Sequence, residues 1–188
     1  FKRCKGLAAV QISAQNIDRV VSVFKASMRS GRTMLIDLYT AEVLKATMNK
    51  NIPQSDWNNI ALIIPYKQKM QIIRNQWFDL LDSHSANRVY FDTKVQSNPQ
   101  NYVLLYRSIY DNDLNNFGLF KDMTFIYSMW DGYWSEDSKI AKQLAKNGIA
   151  RTKIHCSGHA SPDVLIDTIN KIAATQIIPI HTLSSDEF

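Results

Sequence analysis

Short apolar runs rich in Val, Ile and Leu alternate along this chain with longer amphipathic stretches, and this alternation is what most constrains the fold. The run over residues 6–12 precedes a stretch, residues 14–28, in which apolar side chains recur at helical spacing. Such alternation is typical of parallel strands joined by helical crossovers. We therefore predict an α/β fold: a three-layer, mostly parallel, Rossmann-like sheet with helices on both faces. Further strands are predicted over residues 33–38, 59–65, 88–91, 102–107, 123–128, 151–156 and 176–180.

Composition excludes several other classes of protein. The 188 residues include 22 basic and 17 acidic side chains, a net charge of +5, and this mild excess gives only modest support to a polyanionic partner. A chain of this length buries roughly 70% of its unfolded surface, so it needs no disulfide scaffold. Cys4 and Cys156 lack zinc-finger spacing, and no apolar run approaches the roughly 20 residues of a membrane span. These features predict a cytoplasmic protein without a membrane segment.

The start of the chain indicates a piece of a longer protein. It opens with Phe1-Lys2-Arg3-Cys4-Lys5, which contains neither an initiator Met nor the apolar core of a signal peptide. We expect further sequence before Phe1.

Candidate chemistry gathers near the carboxyl terminus. Three of the four histidines, His155, His159 and His181, lie at or just beyond the ends of predicted strands. In an open α/β sheet, ligands bind at this edge. A histidine there can bind a metal or donate a proton to a leaving oxygen.

The segment between the first two of these histidines has the features of a phosphate-binding loop. Ser157 and Gly158 end the predicted strand, and Ser161 with Pro162 suits the start of a helix. Free backbone N–H groups and a hydroxyl would then face the space above the sheet, together with His155. A structural role is the alternative, because a histidine at a strand end is commonly hydrogen-bonded inward.

Five segments, taken in order, resemble one known group of proteins. They are residues 13–19 (SAQNIDR), 36–43 (IDLYTAEV), 127–133 (YSMWDGY), 155–160 (HCSGHA) and 178–182 (IPIHT). With these segments, the chain is similar over nearly its whole length to β-CASP members of the metallo-β-lactamase superfamily, which include RNase J.

The resemblance implies roles for two histidines. His159 matches the family's motif B histidine, which handles the scissile phosphate, and His181 matches motif C, which binds a metal. A histidine at motif C resembles the RNA-directed branch. The implied parent is a zinc-dependent hydrolase, a nuclease acting on RNA phosphodiester bonds.

The chain also departs from the family pattern. No His-x-His-x-Asp-His run occurs, and a catalytic zinc needs about three protein ligands. We therefore predict a β-CASP-like domain over residues 1–150 and a returning β-α-β segment of a truncated metallo-β-lactamase domain over residues 151–188. This part would form the substrate-clamping lobe, inactive alone and without retained zinc. The alternative is a non-catalytic α/β module that binds RNA or another phosphorylated ligand.

Two other groups of residues are candidates for nucleic-acid binding. Aromatic side chains near Asp131-Gly132 can stack on bases, or can pack against the missing metallo-β-lactamase half; they are Trp130, Tyr133 and Trp134. Basic side chains can follow a phosphate backbone, or can form a solvated helix face; they are Lys67, Lys69, Arg74 and Arg88. We also predict an exposed apolar patch that favours self-association, formed by Trp130, Tyr133, Ile178 and Ile180.

Polar residues at the first two strand ends have local explanations. Asn16 suits a helix N-cap, and Asp18 suits the first helical turn. The role of Arg19 stays open. Asp37 ends a strand, where it either faces a ligand or hydrogen-bonds to the Tyr39-Thr40 turn.

Overall fold

The structure is a computed structural model that describes residues 1–155 and 160–178. The chain divides into two compact units, Phe1–His155 and Cys156–Phe188. The first unit contains a seven-stranded sheet in which every pair of neighbouring strands is parallel. This is the α/β architecture that the alternating sequence pattern predicts.

The strands do not follow one another across the sheet in chain order. Their spatial order is β4-β3-β2-β5-β1-β6-β7, so β1 lies inside the sheet between β5 and β6. Ala8 pairs with Val103 on one side and with Thr124 on the other. The strands are β1 (Ala8–Gln11), β2 (Thr33–Ile36), β3 (Ile60–Ile63), β4 (Arg88–Val89), β5 (Tyr102–Tyr106), β6 (Thr124–Tyr127) and β7 (Arg151–Lys153).

Alternate residues of the buried strands enter two separate apolar layers, one on each face of the sheet. Helices α1 and α2 pack in the layer that contains Val10 and Met34. Helices α5 and α6 pack in the other layer, which contains Tyr106 and Phe125. The helices of the first unit are α1 (Ile17–Arg29), α2 (Leu38–Ala46), α3 (Tyr66–Asn75), α4 (Phe78–Asp82), α5 (Asp111–Asn116) and α6 (Lys139–Lys146).

Helix α1 begins at Ile17, three residues later than the predicted stretch of residues 14–28, and its N-cap is Asn16, as its local sequence predicts. The Asn16 side chain accepts a hydrogen bond from the Arg19 N–H at 3.1 Å, which satisfies one of the unpaired donors of the first turn. The helix ends at Ser30, and Gly31 follows with a φ of +69°, a conformation that costs glycine little.

Two further boundaries differ from the predictions, and one helix was not predicted. Helix α2 is capped by Asp37 rather than by Thr40, because the Asp37 carboxylate accepts the Thr40 N–H. Helix α6 begins at Lys139 rather than near residue 135, because the Ser138 hydroxyl caps it. Helix α5 was not predicted, since its polar sequence, DNDLNN, lacks a helical apolar period.

The last segment contains one described helix, α7 (Pro162–Ile172), in the second unit. Its start agrees with the prediction: Ser161 accepts a hydrogen bond from the Val164 N–H at 3.5 Å, and Pro162 occupies the first turn. Residues 176–178 do not form the predicted strand, and the rest of that predicted strand lies outside the described residues. β7 pairs with β6 in the main sheet. Within residues 1–155 and 160–178, no helix is long and apolar enough to cross a membrane.

Candidate functional site

The carboxyl ends of all seven strands meet at one edge of the sheet, because every neighbouring pair is parallel. The helix that follows β1 and the helix that follows β6 lie on opposite faces. The same holds for the helices that follow β2 and β5. Such reversals open a crevice at the carboxyl edge, and this is where open α/β sheets bind ligands.

An ion pair lies at the edge where β2 and β5 end side by side. Asp37 follows β2 and is completely buried, and its Oδ2 accepts a hydrogen bond from Arg107 Nη1 at 2.5 Å. Its Oδ1 accepts from the backbone N–H of Thr40 at 2.8 Å and from the Thr40 hydroxyl at 2.6 Å. Gln68 Nε2 donates to Oδ2 at 3.4 Å. The carboxylate is therefore fully hydrogen-bonded, as a buried charge requires.

This network fixes Arg107 while leaving it accessible. The guanidinium lies over the ring of Tyr39, 4.3 Å from the centroid, and 37% of the Arg107 side chain is exposed. Gln15 Nε2 donates to the Tyr39 hydroxyl at 3.4 Å, which links this group to the loop after β1. Of the two interpretations of Asp37, the hydrogen bond to its own turn is confirmed. The carboxylate does not itself face a ligand, because it is completely buried, but it orients Arg107 at the carboxyl edge.

A second arginine lies in the crevice between β1 and β6. Arg19 Nη1 donates to the carbonyl of Ser128 at 2.6 Å and to His155 Nδ1 at 2.9 Å. Because a guanidinium has no acceptor, His155 Nδ1 carries no proton in this contact, and a neutral imidazole keeps its proton on Nε2. The arrangement brings the predicted site residue His155 to Arg19, whose role the sequence left open.

The aromatic loop after β6 divides into two exposed side chains and one packed one. Trp130 and Tyr133 are exposed and meet edge to face, with ring centroids 5.3 Å apart. Trp134 instead packs against Tyr127, and the Arg151 guanidinium lies 4.6 Å from its centroid. Stacking on a ligand base is therefore open to Trp130 and Tyr133, while Trp134 is part of the fold.

Glycine at position 132 permits this arrangement. A Cβ built there would lie 2.0 Å from the Trp130 ring, so any larger residue would displace the indole. Two residues of β7 also hold the Asp131-Gly132 turn in place, because Asp131 forms ion pairs with Arg151 and Lys153. Hydrogen bonds from these two cations lower the pKa of the Asp131 carboxyl.

The predicted basic face on α3 is only partly assembled. Lys69 and Arg88 line one cavity at the carboxyl ends of β3 and β4. Lys67 acts electrostatically on Asp111 instead, and Arg74 lies exposed in the last turn of α3. Two of the four basic residues are therefore brought to a common cavity.

Two tyrosines and two carboxyl groups lie buried beneath this edge. The Tyr106 hydroxyl donates to Asp111, whereas the Tyr110 hydroxyl has no hydrogen-bond partner within the described part of the chain. Burial raises the pKa of both phenols. Burial also raises the pKa of Asp111, although the Tyr106 hydrogen bond opposes it. Burial likewise raises the pKa of Asp113, against the hydrogen bond from the Tyr66 N–H.

A Ser-His-Glu group elsewhere in the fold was not predicted. The Ser55 hydroxyl lies 2.7 Å from His84 Nδ1, and His84 Nε2 lies 2.5 Å from a Glu42 oxygen. Ser55 is only 6% exposed and His84 only 3%, so a substrate cannot approach the hydroxyl. We interpret the group as a structural link between α2, the loop before β3 and the end of α4.

The predicted site residues have different outcomes. His155 lies at the carboxyl edge beside Arg19, and Ser161 caps α7. Ser157, Gly158, His159 and His181 lie outside the described residues, so their roles stay predictions. Among the described histidines, cysteines and carboxylates, no group of three or more is placed to hold a metal ion.

Sequence reasoning missed Arg107, although a signal was present. The residue follows β5 directly, just as Asp37 follows β2, and parallel strand ends share one edge. What the sequence could not supply is that β5 is inserted beside β2.

Comparison with known proteins adds no assignment to this geometry. No protein-family model matches the chain, and no curated protein sequence is significantly similar to it.

Proposed function

We propose that this chain is the substrate-clamping lobe of a metal-dependent hydrolase that cleaves RNA phosphodiester bonds. The support from geometry is a row of cationic and aromatic side chains along the carboxyl edge of the sheet. In sheet order from β4 to β6, the row consists of Arg88, Tyr90, Lys69, Tyr66, Tyr39, Arg107, Arg19, Trp130 and Tyr133. Grooves that combine backbone-tracking cations with stacking aromatics are typical of single-strand binding.

The single observation that carries the proposal is that Arg107 is held in a fixed orientation while its side chain stays accessible. A buried, fully hydrogen-bonded Asp37 holds its Nη1, the Tyr39 ring supports its face, and more than a third of the side chain stays exposed. A guanidinium has five N–H donors, so the bond to Asp37 leaves others for a ligand. An arginine fixed in this way loses little entropy when it binds a phosphate, for which its planar fork is suited.

The order of the strands gives the row its length. Neighbouring strands lie about 4.8 Å apart, so the row, which runs over the six strands from β4 to β6, extends over roughly 24 Å. Arg19 and Arg107 follow adjacent strands, β1 and β5, near the middle of this edge. A row of this length offers binding groups to several nucleotides and exceeds what one small phosphoester needs.

The described residues do not fit a zinc site by themselves, since no group of three potential ligands occurs among them. We therefore assign binding and orientation of the RNA strand to this chain, and assign the zinc ligands other than His181 to the rest of the parent protein. His181 as a zinc ligand, and His159 at the scissile phosphate, are proposed from the family resemblance. The cytoplasm is the proposed location, on the basis of sparse cysteine usage.

The proposal is tested by fluorescence anisotropy with a labelled single-stranded 12-nucleotide RNA at low salt. We expect Arg107→Ala to weaken binding about tenfold, because it removes one charge-assisted interaction with a phosphate. Arg29→Ala is the matched control, because Arg29 is an exposed arginine in the last turn of α1, at the end of the helix away from Arg19 and the carboxyl edge. It should change affinity less than twofold.

A further variant separates binding from folding. Arg107→Lys keeps the charge opposite Asp37, so it should fold normally yet still bind RNA more weakly than the wild type. Absence of RNA binding by the wild-type chain, or equal losses in Arg107→Ala and Arg29→Ala, would overturn the proposal.

A further inference from the structure

A small cavity lies at the carboxyl ends of β3 and β4, near one end of the row of cationic and aromatic side chains. Its volume is about 160 Å³, below the roughly 300–1,000 Å³ of sites for drug-sized ligands, so it admits only a fragment of a larger molecule. Its lining includes the aromatic side chains Tyr66 and Tyr90 and the cations Lys69 and Arg88. We infer that this cavity holds one base of a single-stranded RNA together with the phosphate attached to it. The inference rests on the proposed function and names a subsite within it.

The aromatic residues supply a surface for the base. Tyr66 is 61% exposed and Tyr90 is 53% exposed, although both are large apolar side chains. Behind them, the rings of Phe91 and Phe117 stack in parallel, with centroids 5.8 Å apart and planes 5° apart. Stacking on an aromatic ring tolerates every base, because each base has a π face.

The cationic residues supply contacts for the phosphate. Arg88 lies with its guanidinium 5.1 Å from the Tyr90 centroid, so it is held beside the proposed stacking ring. A guanidinium carries five N–H donors, and its planar fork suits a phosphate. Lys69 is exposed on α3 and adds a second charge.

Two carboxyl groups also line the cavity, and they have different roles. The Asp113 oxygens accept the Tyr66 N–H at 3.2 and 3.3 Å, and burial raises the pKa of this carboxyl. Asp113 therefore fixes the start of α3. Asp92 is exposed, and as an acceptor it suits a base that carries an exocyclic amino group. Adenine is such a base.

The position of the cavity fits the path of one strand. In the sheet, β4 is separated from β5 by β3 and β2, so Arg107 follows a strand about 14 Å away. A polynucleotide bound at Arg107 and extending toward β4 would reach this cavity. A free mononucleotide offers the same base and phosphate, which makes it a suitable probe.

The test is a titration of adenosine 5′-monophosphate into the ¹⁵N-labelled chain, followed by NMR. We expect saturable shifts at the amides of Tyr66, Tyr90 and Asp92, and binding at least about fivefold weaker in Tyr90→Ala. Phe78→Ala is the matched control, because Phe78 is a half-exposed aromatic of α4 outside the cavity. It should leave binding within twofold of the wild type.

Inorganic phosphate and adenosine are titrated separately, so that the contribution of the phosphate contact is measured apart from that of the base contact. Shifts from phosphate alone that match those from the nucleotide would overturn the base-binding part of the inference. The whole inference would be overturned if the nucleotide leaves the amide resonances of Tyr66, Tyr90 and Asp92 unshifted. It would also be overturned if Tyr90→Ala and Phe78→Ala weaken nucleotide binding equally.

A failure here is distinguishable from a failure of the proposed function. RNA binding that depends on Arg107, combined with unmoved cavity amides, would overturn only the subsite. If adenosine 5′-monophosphate shifts the amide resonances at the cavity but the chain does not bind the 12-nucleotide RNA, the cavity is a nucleotide site and the proposed function is overturned.

Discussion

The two edges of the sheet use arginine in opposite ways. At the amino edge, Arg32 is only 6% exposed and donates to the backbone carbonyls of Gly6, at 3.0 Å, Tyr102, at 3.4 Å, and Cys4. At the carboxyl edge, Arg107 is paired with the buried Asp37 and remains 37% exposed. An arginine whose donors end on buried carbonyls holds the chain together. One that is oriented by a buried carboxylate and left accessible is prepared for a ligand.

Cavity volume alone would have favoured the amino edge, rather than the carboxyl edge, as the place where a ligand binds. A larger cavity of about 690 Å³ lies at the amino edge, beside the start of β6 and the turn before β7. Its lining includes Gly118, Lys121, Asn147 and Gly148, which belong to the turns that precede those strands. The carboxyl-edge cavity is smaller, but its lining combines the exposed aromatic side chains Tyr66 and Tyr90 with the cations Lys69 and Arg88. Chemistry and strand direction therefore favour the carboxyl edge as the proposed site, whereas cavity volume favours the amino edge.

The largest expected effect concerns the amino edge. Arg32→Ala leaves buried carbonyl groups without donors and should lower the free energy of unfolding by about 3 kcal/mol, measured by urea denaturation. RNA affinity of the folded protein should stay unchanged, because the substitution is at the opposite edge. A loss of affinity in a variant that is still folded would remove the distinction between the edges.

Asp37→Ala should affect both stability and binding. It removes the N-cap of α2 and leaves Arg107 without its partner, so we expect a loss of about 2 kcal/mol in stability. RNA affinity should fall as well, because Arg107 is no longer oriented. Asp37→Asn keeps a cap acceptor and should be the milder variant in urea denaturation. Asp37→Ala with full RNA affinity would mean that Arg107 needs no positioning.

Two buried tyrosines allow a matched comparison beneath the carboxyl edge. Tyr106→Phe removes a donor to the buried Asp111 and should destabilise the fold by about 1 kcal/mol. Tyr110→Phe removes a hydroxyl without a partner in the described structure, so it should be neutral or stabilising by up to about 1 kcal/mol. Thermal unfolding of both variants measures the difference. Equal destabilisation would show that the Tyr110 hydroxyl is bonded.

The smallest expected effect is a pH dependence at Asp111. Burial raises its pKa above the ordinary value, so the folded state binds the proton more tightly than the unfolded state does. Its contribution to stability is therefore greatest below about pH 3.8 and is lost as pH rises through the folded pKa. Asp111→Asn should be more stable than the wild type at pH 7, with a difference that shrinks toward acid pH. A difference that grows on acidification would contradict this.

The sequence predicted those parts of the fold that depend on local chemistry. Strand β1 and helix α1 were predicted because the apolar run is continuous and Asn16 is a strong N-cap signal. The start of α7 at Ser161 and Pro162 was predicted for the same reason.

The rest depends on neighbours that are distant in the chain. Asp37 and Arg107 are 70 residues apart, and they meet only because β5 pairs with β2. Arg19 and His155 are 136 residues apart and meet because β1 and β7 flank β6. Local periodicity carries no information on strand order, so the sequence predicted a role for His155 at the carboxyl edge but not its contact with Arg19.

The salt dependence of RNA binding tests the central claim most directly, namely that the carboxyl edge binds the phosphate backbone through Arg107. For single strands, the slope of log affinity against log salt decreases in magnitude by about 0.7 for each phosphate that the protein no longer neutralises. We predict a decrease of that size for Arg107→Ala and an unchanged slope for Arg29→Ala, each compared with the wild-type chain. Identical slopes for the wild type and Arg107→Ala would contradict the account.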